Sequence, residues 1–235
     1  MDTIKLIIEG NRFVDVNNPF GEKSRDYICE NIFNFESGKI YGVICEHGGG
    51  GEAISLLLSG KESLKREKVY IDEIEAKVSD IEEMGWYVGN PLYFKGFKKR
   101  ELSAQKALQY AIKKYSRYTK IEDVIEDFHL SSDKLHYGIS RNCEWERWRI
   151  SLAIGYASNK KVFCFPWMDT LHFYDCLYNS SVFRFFRKMT AEGAIFILPT
   201  SREENVRDFV DCIIRISNPR FERNIAECPY FQENF

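Results

Sequence analysis

Four consecutive glycines, Gly48 to Gly51, sit between a short apolar run, Ile40 to Cys45, and the segment EAISLLLS. In that segment Ala53, Ile54, Leu56, Leu57 and Leu58 suit a well-buried helix. Strand, glycine loop and helix is the arrangement of a phosphate-binding loop: glycines let successive backbone N–H groups turn toward an anion, and the helix N-terminus adds a favourable dipole. The full motif ends in Gly-Lys-Ser/Thr, where lysine meets the phosphates and a hydroxyl meets Mg²⁺. Here the lysine place reads Gly51 and the hydroxyl place Glu52, with Ala53 next. The lysine is missing, and a carboxylate stands where a hydroxyl belongs. Residues His47, Gly48, Gly49, Gly50, Gly51, Glu52 and Ala53 therefore read as a loop that keeps the shape of an anion cradle without its cation. Glu52, water or a bound small anion can serve as acceptor for the loop N–H groups; Glu52 is tethered in the first helical turn and suits the positive helix end by about 0.3–1 kcal/mol. On that reading, Gly51→Lys with Glu52→Ser restores some anion affinity.

Other reactive side chains form no recognisable constellation. His129, His136 and His172 are scattered, and neither H-x-x-x-H nor Cys/His metal spacing occurs. Asp169 and Asp175 read as ordinary polar residues. Glu144 and Glu146 read as a carboxylate-rich helix start. Trp145 and Trp148 suit either an interface or the core. The seven cysteines show no C-x-x-C pair and lie mostly in apolar runs, which predicts reduced, mainly buried thiols of a cytosolic protein.

The elements that must position the loop follow from the surrounding pattern. The chain has 235 residues, 44% of them hydrophobic, enough for a substantial core and against disorder. A net charge of −2 gives no global attraction to nucleic acid. No apolar run approaches a membrane span, and the first ten residues do not read as a signal peptide. Strands are predicted over 3–9, 12–16, 27–37, 40–45, 68–73, 84–91, 161–166, 194–200 and 213–217, with 17–26 rich in turn residues. Helices are predicted over 52–59, 103–118, 121–130, 143–158, most of 173–193, and 202–211, with a third short one beginning near 131–135. Strands alternating with helices around a glycine loop indicate a mostly parallel α/β sheet.

In order, spacing and flanking hydrophobic pattern, nearly the whole chain resembles the nucleotide-binding domain of ATP-binding-cassette (ABC) transporters. SGKIYGVICEHGGGGEAISLLLSG looks like that family's phosphate loop, and GWYVGNP like the strand into its Q-loop, with Asn90 where glutamine is usual. NCEWERWRISLAIGYA resembles the signature motif and helix, anchored on Arg149, Ile150 and Ala153. VFCF, residues 162–165, then falls on the Walker B strand, so Pro166 and Trp167 take the places of the metal-linked aspartate and catalytic glutamate. FILPTS resembles the switch-histidine strand, with Ser201 at the histidine place, and Phe20 is the candidate for the adenine-stacking aromatic.

The resemblance implies an α/β, P-loop NTPase-like fold with a mostly parallel core sheet, an N-terminal antiparallel β layer and a helical subdomain. It implies a single domain: a core lobe of 1–90 and 152–217, a helical lobe of 91–151 and an irregular tail, 218–235. Phosphoryl chemistry in that family needs lysine, Mg²⁺, a carboxylate that orients water, and a histidine near the γ-phosphate. None survives at its aligned place. The implied role is a catalytically degenerate subunit with no catalytic residues, no metal ligands and no cofactor, and with no tight binding of Mg²⁺-ATP. Its implied partners are a membrane permease, another ABC ATPase subunit, or both, in a dimer or heterodimer at the inner face of the cell membrane, without nucleic acid. Two other readings stand beside it: a free-standing binding module reusing the fold, and an ABC ATPase with a rewired nucleotide site.

Overall fold

The computed structural model describes residues 1–17, 23–94 and 100–218. Strands β1 (Thr3–Ile8), β2 (Arg12–Asn17), β3 (Lys23–Ile28) and β4 (Asn31–Glu36) lead into β5 (Ile40–Ile44) and helix α1 (Gly51–Leu58). Then come β6 (Glu67–Ile71), β7 (Ile74–Glu75), α2 (Val78–Met84), β8 (Gly85–Tyr87), α3 (Ala104–Tyr115) and α4 (Ile121–Asp127). The rest comprises α5 (Glu144–Ala157), β9 (Val162–Cys164), α6 (Thr170–Phe173), α7 (Arg184–Ala191), β10 (Ile195–Thr200) and β11 (Cys212–Arg215).

Five parallel strands form the core sheet in the order β11-β5-β10-β9-β8. All six residues of β10 are buried, as expected of a central parallel strand covered on both faces. Side chains alternate between those faces. Ile40, Phe163, Phe196 and Leu198 pack with Trp148, Ile150 and Phe186. Tyr41, Val43, Val162, Ile195 and Ile197 pack instead with α1 and with Ile4, Leu6 and Phe35. The latter three belong to a second, antiparallel sheet, β4-β1-β6-β7, and a separate antiparallel ribbon pairs β2 with β3. Thus the mostly parallel core sheet, the N-terminal antiparallel layer and the helices agree with the expected fold.

Several local expectations fail for identifiable reasons. The turn-rich reading of 17–26 overlooked β3, whose ladder with β2 runs from Lys23 opposite Asn17 to Ile28 opposite Arg12. The predicted strand 27–37 is two strands broken at Cys29-Glu30, so Ile28 is buried while Ile32 faces solvent. Helix α2 has only Ile81 and Met84 as buried anchors, too few for a periodic signal; Asp80 accepts from the Lys77 N–H at 2.9 Å and starts it. The predicted helix 202–211 reduces to one 3₁₀ turn, Glu203–Asn205. There Asn205 donates to Thr200 Oγ1 at 2.8 Å, and Asp211 is turned back to accept from the Ile40 N–H at 2.8 Å. The helical region 173–193 is interrupted between a π-turn at Tyr174–Tyr178 and α7.

Candidate functional site

The glycine loop emerges from β5, crosses Glu46 to Gly50 and enters α1 at Gly51. Gly48 and Gly50 have φ of 78° and 108°, backbone that other residues adopt at a cost. The Gly50 N–H donates to Asp26 Oδ1 at 2.6 Å, and the Ala53 N–H donates to Asp26 Oδ2 at 2.7 Å. The tethered acceptor expected for these groups was Glu52; the structure supplies Asp26 from β3 instead. Asp26 is 3% exposed. Burial raises its pKa, and the N–H groups at the start of α1 oppose that shift.

Glu52 is used elsewhere. Its Oε1 accepts from the Tyr87 hydroxyl at 2.6 Å, and its Oε2 accepts from the Trp167 N–H at 3.4 Å. Burial raises the Glu52 pKa, the Tyr87 hydroxyl lowers it, and the neighbouring charge of Asp26 raises it again. Tyr87, at the end of β8, has its own pKa pushed well up by burial and by Glu52. The Trp167 indole N–H donates to the Cys45 carbonyl at 3.0 Å, and its ring meets the exposed His47 ring edge-on at 4.9 Å. Three side chains thus interlock the end of β5, the first turn of α1, the end of β8 and the segment after β9.

Gly51 is a packing necessity. A Cβ there lies 2.5 Å from Cys45 Sγ and 2.9 Å from Pro199 Cβ. A lysine at this position has no room, so the expectation that Gly51→Lys with Glu52→Ser restores anion affinity does not hold in this packing. Cys45 itself is buried, with its pKa pushed up to about 12 by desolvation, and is an inert thiol.

Beside the interlock lies a cleft of about 240 Å³ that Glu52, Tyr87 and Trp167 share with Glu144, Arg147 and His172. A chain of polar contacts crosses its wall. Arg147 Nη2 meets Glu144 Oε1 at 3.1 Å, Glu144 Oε2 meets His172 Nε2 at 3.6 Å, and His172 Nδ1 meets Asp169 Oδ1 at 3.0 Å. Asp169, an ordinary polar residue in the sequence, also caps α6 by accepting from the His172 N–H at 2.8 Å. Arg147 and His172 gave no motif signal; only the folding of α5 against the segment after β9 brings them together.

Asn90 follows the Gly89 bend, with its N–H directed at the Tyr87 carbonyl, 3.4 Å away. Phe20 lies outside the described residues. Pro166 lines the cleft and Ser201 directly follows β10. Trp148 is 1% exposed and belongs to the core, whereas Trp145 is 38% exposed. Among the described residues no group of three or more His, Cys, Asp or Glu side chains is arranged to hold a metal ion. Cys45, Cys164 and Cys176 are buried, Cys29 and Cys212 are half-buried and Cys143 is exposed, all as free thiols; Cys228 lies outside the described residues. Among the described residues no helix is long and apolar enough to cross a membrane.

No protein-family profile matches the chain, and no curated protein matches it. Solved structures do. A dimeric ATP-binding cassette in a post-hydrolysis state, bound to ADP and Pi, superposes with a TM-score of 0.63 over 91% of this chain and 94% of that one, at 15% identity. CbiO1 from Clostridium perfringens, part of the ABC transporter complex cbiONQ, superposes with a TM-score of 0.58 over 97% of this chain and 92% of its own, at 14% identity. The chain has the fold of the ATP-binding cassette, as the order and spacing of its motifs imply.

Proposed function

We propose that this protein is a non-hydrolysing partner subunit of the ABC type, structural or regulatory, acting on a permease, a competent ATPase subunit, or both. One observation carries the reading: the Glu52–Tyr87–Trp167 interlock uses the chain's own side chains where a working cassette keeps a hydroxyl and a catalytic carboxylate. Phosphoryl transfer needs cationic and metal stabilisation of the phosphates plus a group that orients the attacking water. Here the corresponding places hold Gly51, Glu52, Pro166, Trp167 and Ser201. His47 to Ala53, with Asn90, are on this reading the remnant of a nucleotide site. In head-to-tail pairing each composite site borrows a half from this chain, so neither half assembles a competent centre even beside an intact partner. The coupling surface lies around Gly89 to Tyr118, from the Q-loop end of a core lobe of 1–90 and 152–217 into a helical lobe of 91–151. The location that follows is the cytoplasmic face of a membrane, through the partner.

Two measurements test this. Titration calorimetry with Mg²⁺-ATP is expected to show no micromolar binding, and purified protein no Mg²⁺-dependent phosphate release; a clear signal in either rejects the reading in favour of a rewired ATPase. Affinity purification from native membranes is expected to recover a multi-span permease or an intact cassette subunit. Recovery of neither, with a small molecule held in the cleft beside Arg147 and Glu144, favours a free-standing binding module.

A further inference from the structure

The β2–β3 ribbon does more than flank the glycine loop. The Tyr27 N–H donates to the Gly48 carbonyl at 2.9 Å, so the backbone of β3 is bonded to the loop one residue away from Asp26. A Cβ added at Gly50 would come within 3.0 Å of the Tyr27 carbonyl, which leaves β3 no clearance above the loop. Both oxygens of Asp26 are engaged by loop amides, one each, and its side chain is sealed from water. Beyond β3, Asn218 Nδ2 donates to the Tyr27 carbonyl at 3.3 Å and ties the chain after β11 to the same place.

Amides presented this way at a helix start are donors for an oxyanion, and a carboxylate offers them two oxygens in one plane. Leaving them buried without acceptors would cost more than the hydrogen bonds contribute when made. We propose that Asp26 is an autoinhibitory plug: it holds the amides of the glycine loop in place of an external anion and locks the β2–β3 ribbon down on the loop. No oxyanion reaches these amides until β3 lifts or its carboxylate is removed. The inference concerns the loop and the ribbon alone, so it stands or falls independently of any transporter partner.

The test uses the full chain and inorganic pyrophosphate as the probe, read by thermal melting and by hydrogen exchange at the amides of Gly50 and Ala53. Asp26→Ala is expected to melt about 5 °C below the parent and to lose protection at both amides. Millimolar pyrophosphate is expected to return at least half of that loss and the protection with it, while leaving the parent unmoved. Sodium chloride at matched ionic strength serves as reference, because chloride is no oxyanion and general salt effects move parent and variant alike. Should Asp26→Ala not fold, Asp26→Asn retains the shape and one acceptor oxygen while removing the charge, and pyrophosphate is expected to raise its melting temperature above the parent's response. The proposal is overturned if Asp26→Ala melts with the parent, or if pyrophosphate moves the folded variant no more than it moves the parent. Equal rescue by ATP and pyrophosphate assigns the effect to the phosphates alone; greater rescue by ATP shows that lifting the plug also opens a nucleoside contact.

Discussion

The Tyr87 hydroxyl donates to Glu52 Oε1 across 2.6 Å and joins the last residue of an edge strand to the first turn of the loop helix. Neither residue has an easy alternative. Glu52 is half-buried at the cleft wall, and Tyr87 is 8% exposed. A hydrogen bond between a hydroxyl and a partly desolvated carboxylate is among the stronger kinds, and removing one partner strands the other.

Tyr87→Phe is therefore expected to destabilise the protein by about 1–3 kcal/mol, and Glu52→Gln by less, since glutamine still accepts from the hydroxyl. In urea unfolding the double variant is expected to fall short of the sum of the singles. Strict additivity would show that the two side chains do not act as a pair.

Gly51→Ala is expected to cost about 1–3 kcal/mol, because its methyl meets Cys45 Sγ at 2.5 Å and Pro199 Cβ at 2.9 Å. Adding Cys45→Ala removes the sulfur and should return part of the loss; the Pro199 contact remains. Gly51→Lys with Glu52→Ser is expected to melt below the parent with or without Mg²⁺-ATP. A gain from nucleotide in that variant would mean the loop moves to admit the side chain.

The raised pKa of Glu52 sets a sign for pH dependence. Its folded-state value lies above the ordinary 4.5, so the folded protein binds the proton more readily than the unfolded chain. That contribution to stability is full below 4.5 and is lost as pH rises through the folded pKa. Asp26, raised from 3.8, acts in the same direction, while Asp127 and Asp211, both lowered, act in the opposite one. The difference between parent and Glu52→Gln isolates the Glu52 term. Denaturant melts are expected to show the parent losing ground against Glu52→Gln as pH is raised from 4.5 toward neutrality. A difference that stays flat over that interval rules the shift out.

A second cluster joins α4, and the chain between α3 and α4, to α7 and its end. Asp127 accepts from the Tyr118 hydroxyl and from Lys188. The Arg117 guanidinium lies 3.6 Å from the centre of the Tyr156 ring and pairs with Glu192, which also accepts from the Tyr156 hydroxyl. Because these groups are partly solvated, Asp127→Ala should cost only about 1 kcal/mol. Its sharper signature is faster hydrogen exchange in α4, which keeps Val124 as its fully buried anchor. Unchanged exchange there would show that apolar packing alone holds α4.

Strand β5, the glycine loop, α1, α3, α5 and the central strand β10 were legible in the sequence because each is long or strongly patterned. A six-residue apolar run reads as a covered parallel strand, and Ala104, Ala107, Leu108 and Ala111 recur at helical spacing on one face. The resemblance in motif order was legible for the same reason: it rests on apolar flanks and their spacing. What the sequence could not settle was which carboxylate meets which donor. Glu52 is adjacent to the loop amides along the chain and was the natural acceptor, yet Asp26, more than twenty residues earlier, takes them. A hydrogen bond depends on position and direction in space, and only the pairing of β3 with β2 and its seat against the loop put Asp26 there. The same holds for Gly51, whose missing side chain looked in sequence like the loss of a lysine. Its surroundings, a sulfur at 2.5 Å and a proline ring beside it, exist only once β5, β10 and α1 have packed together.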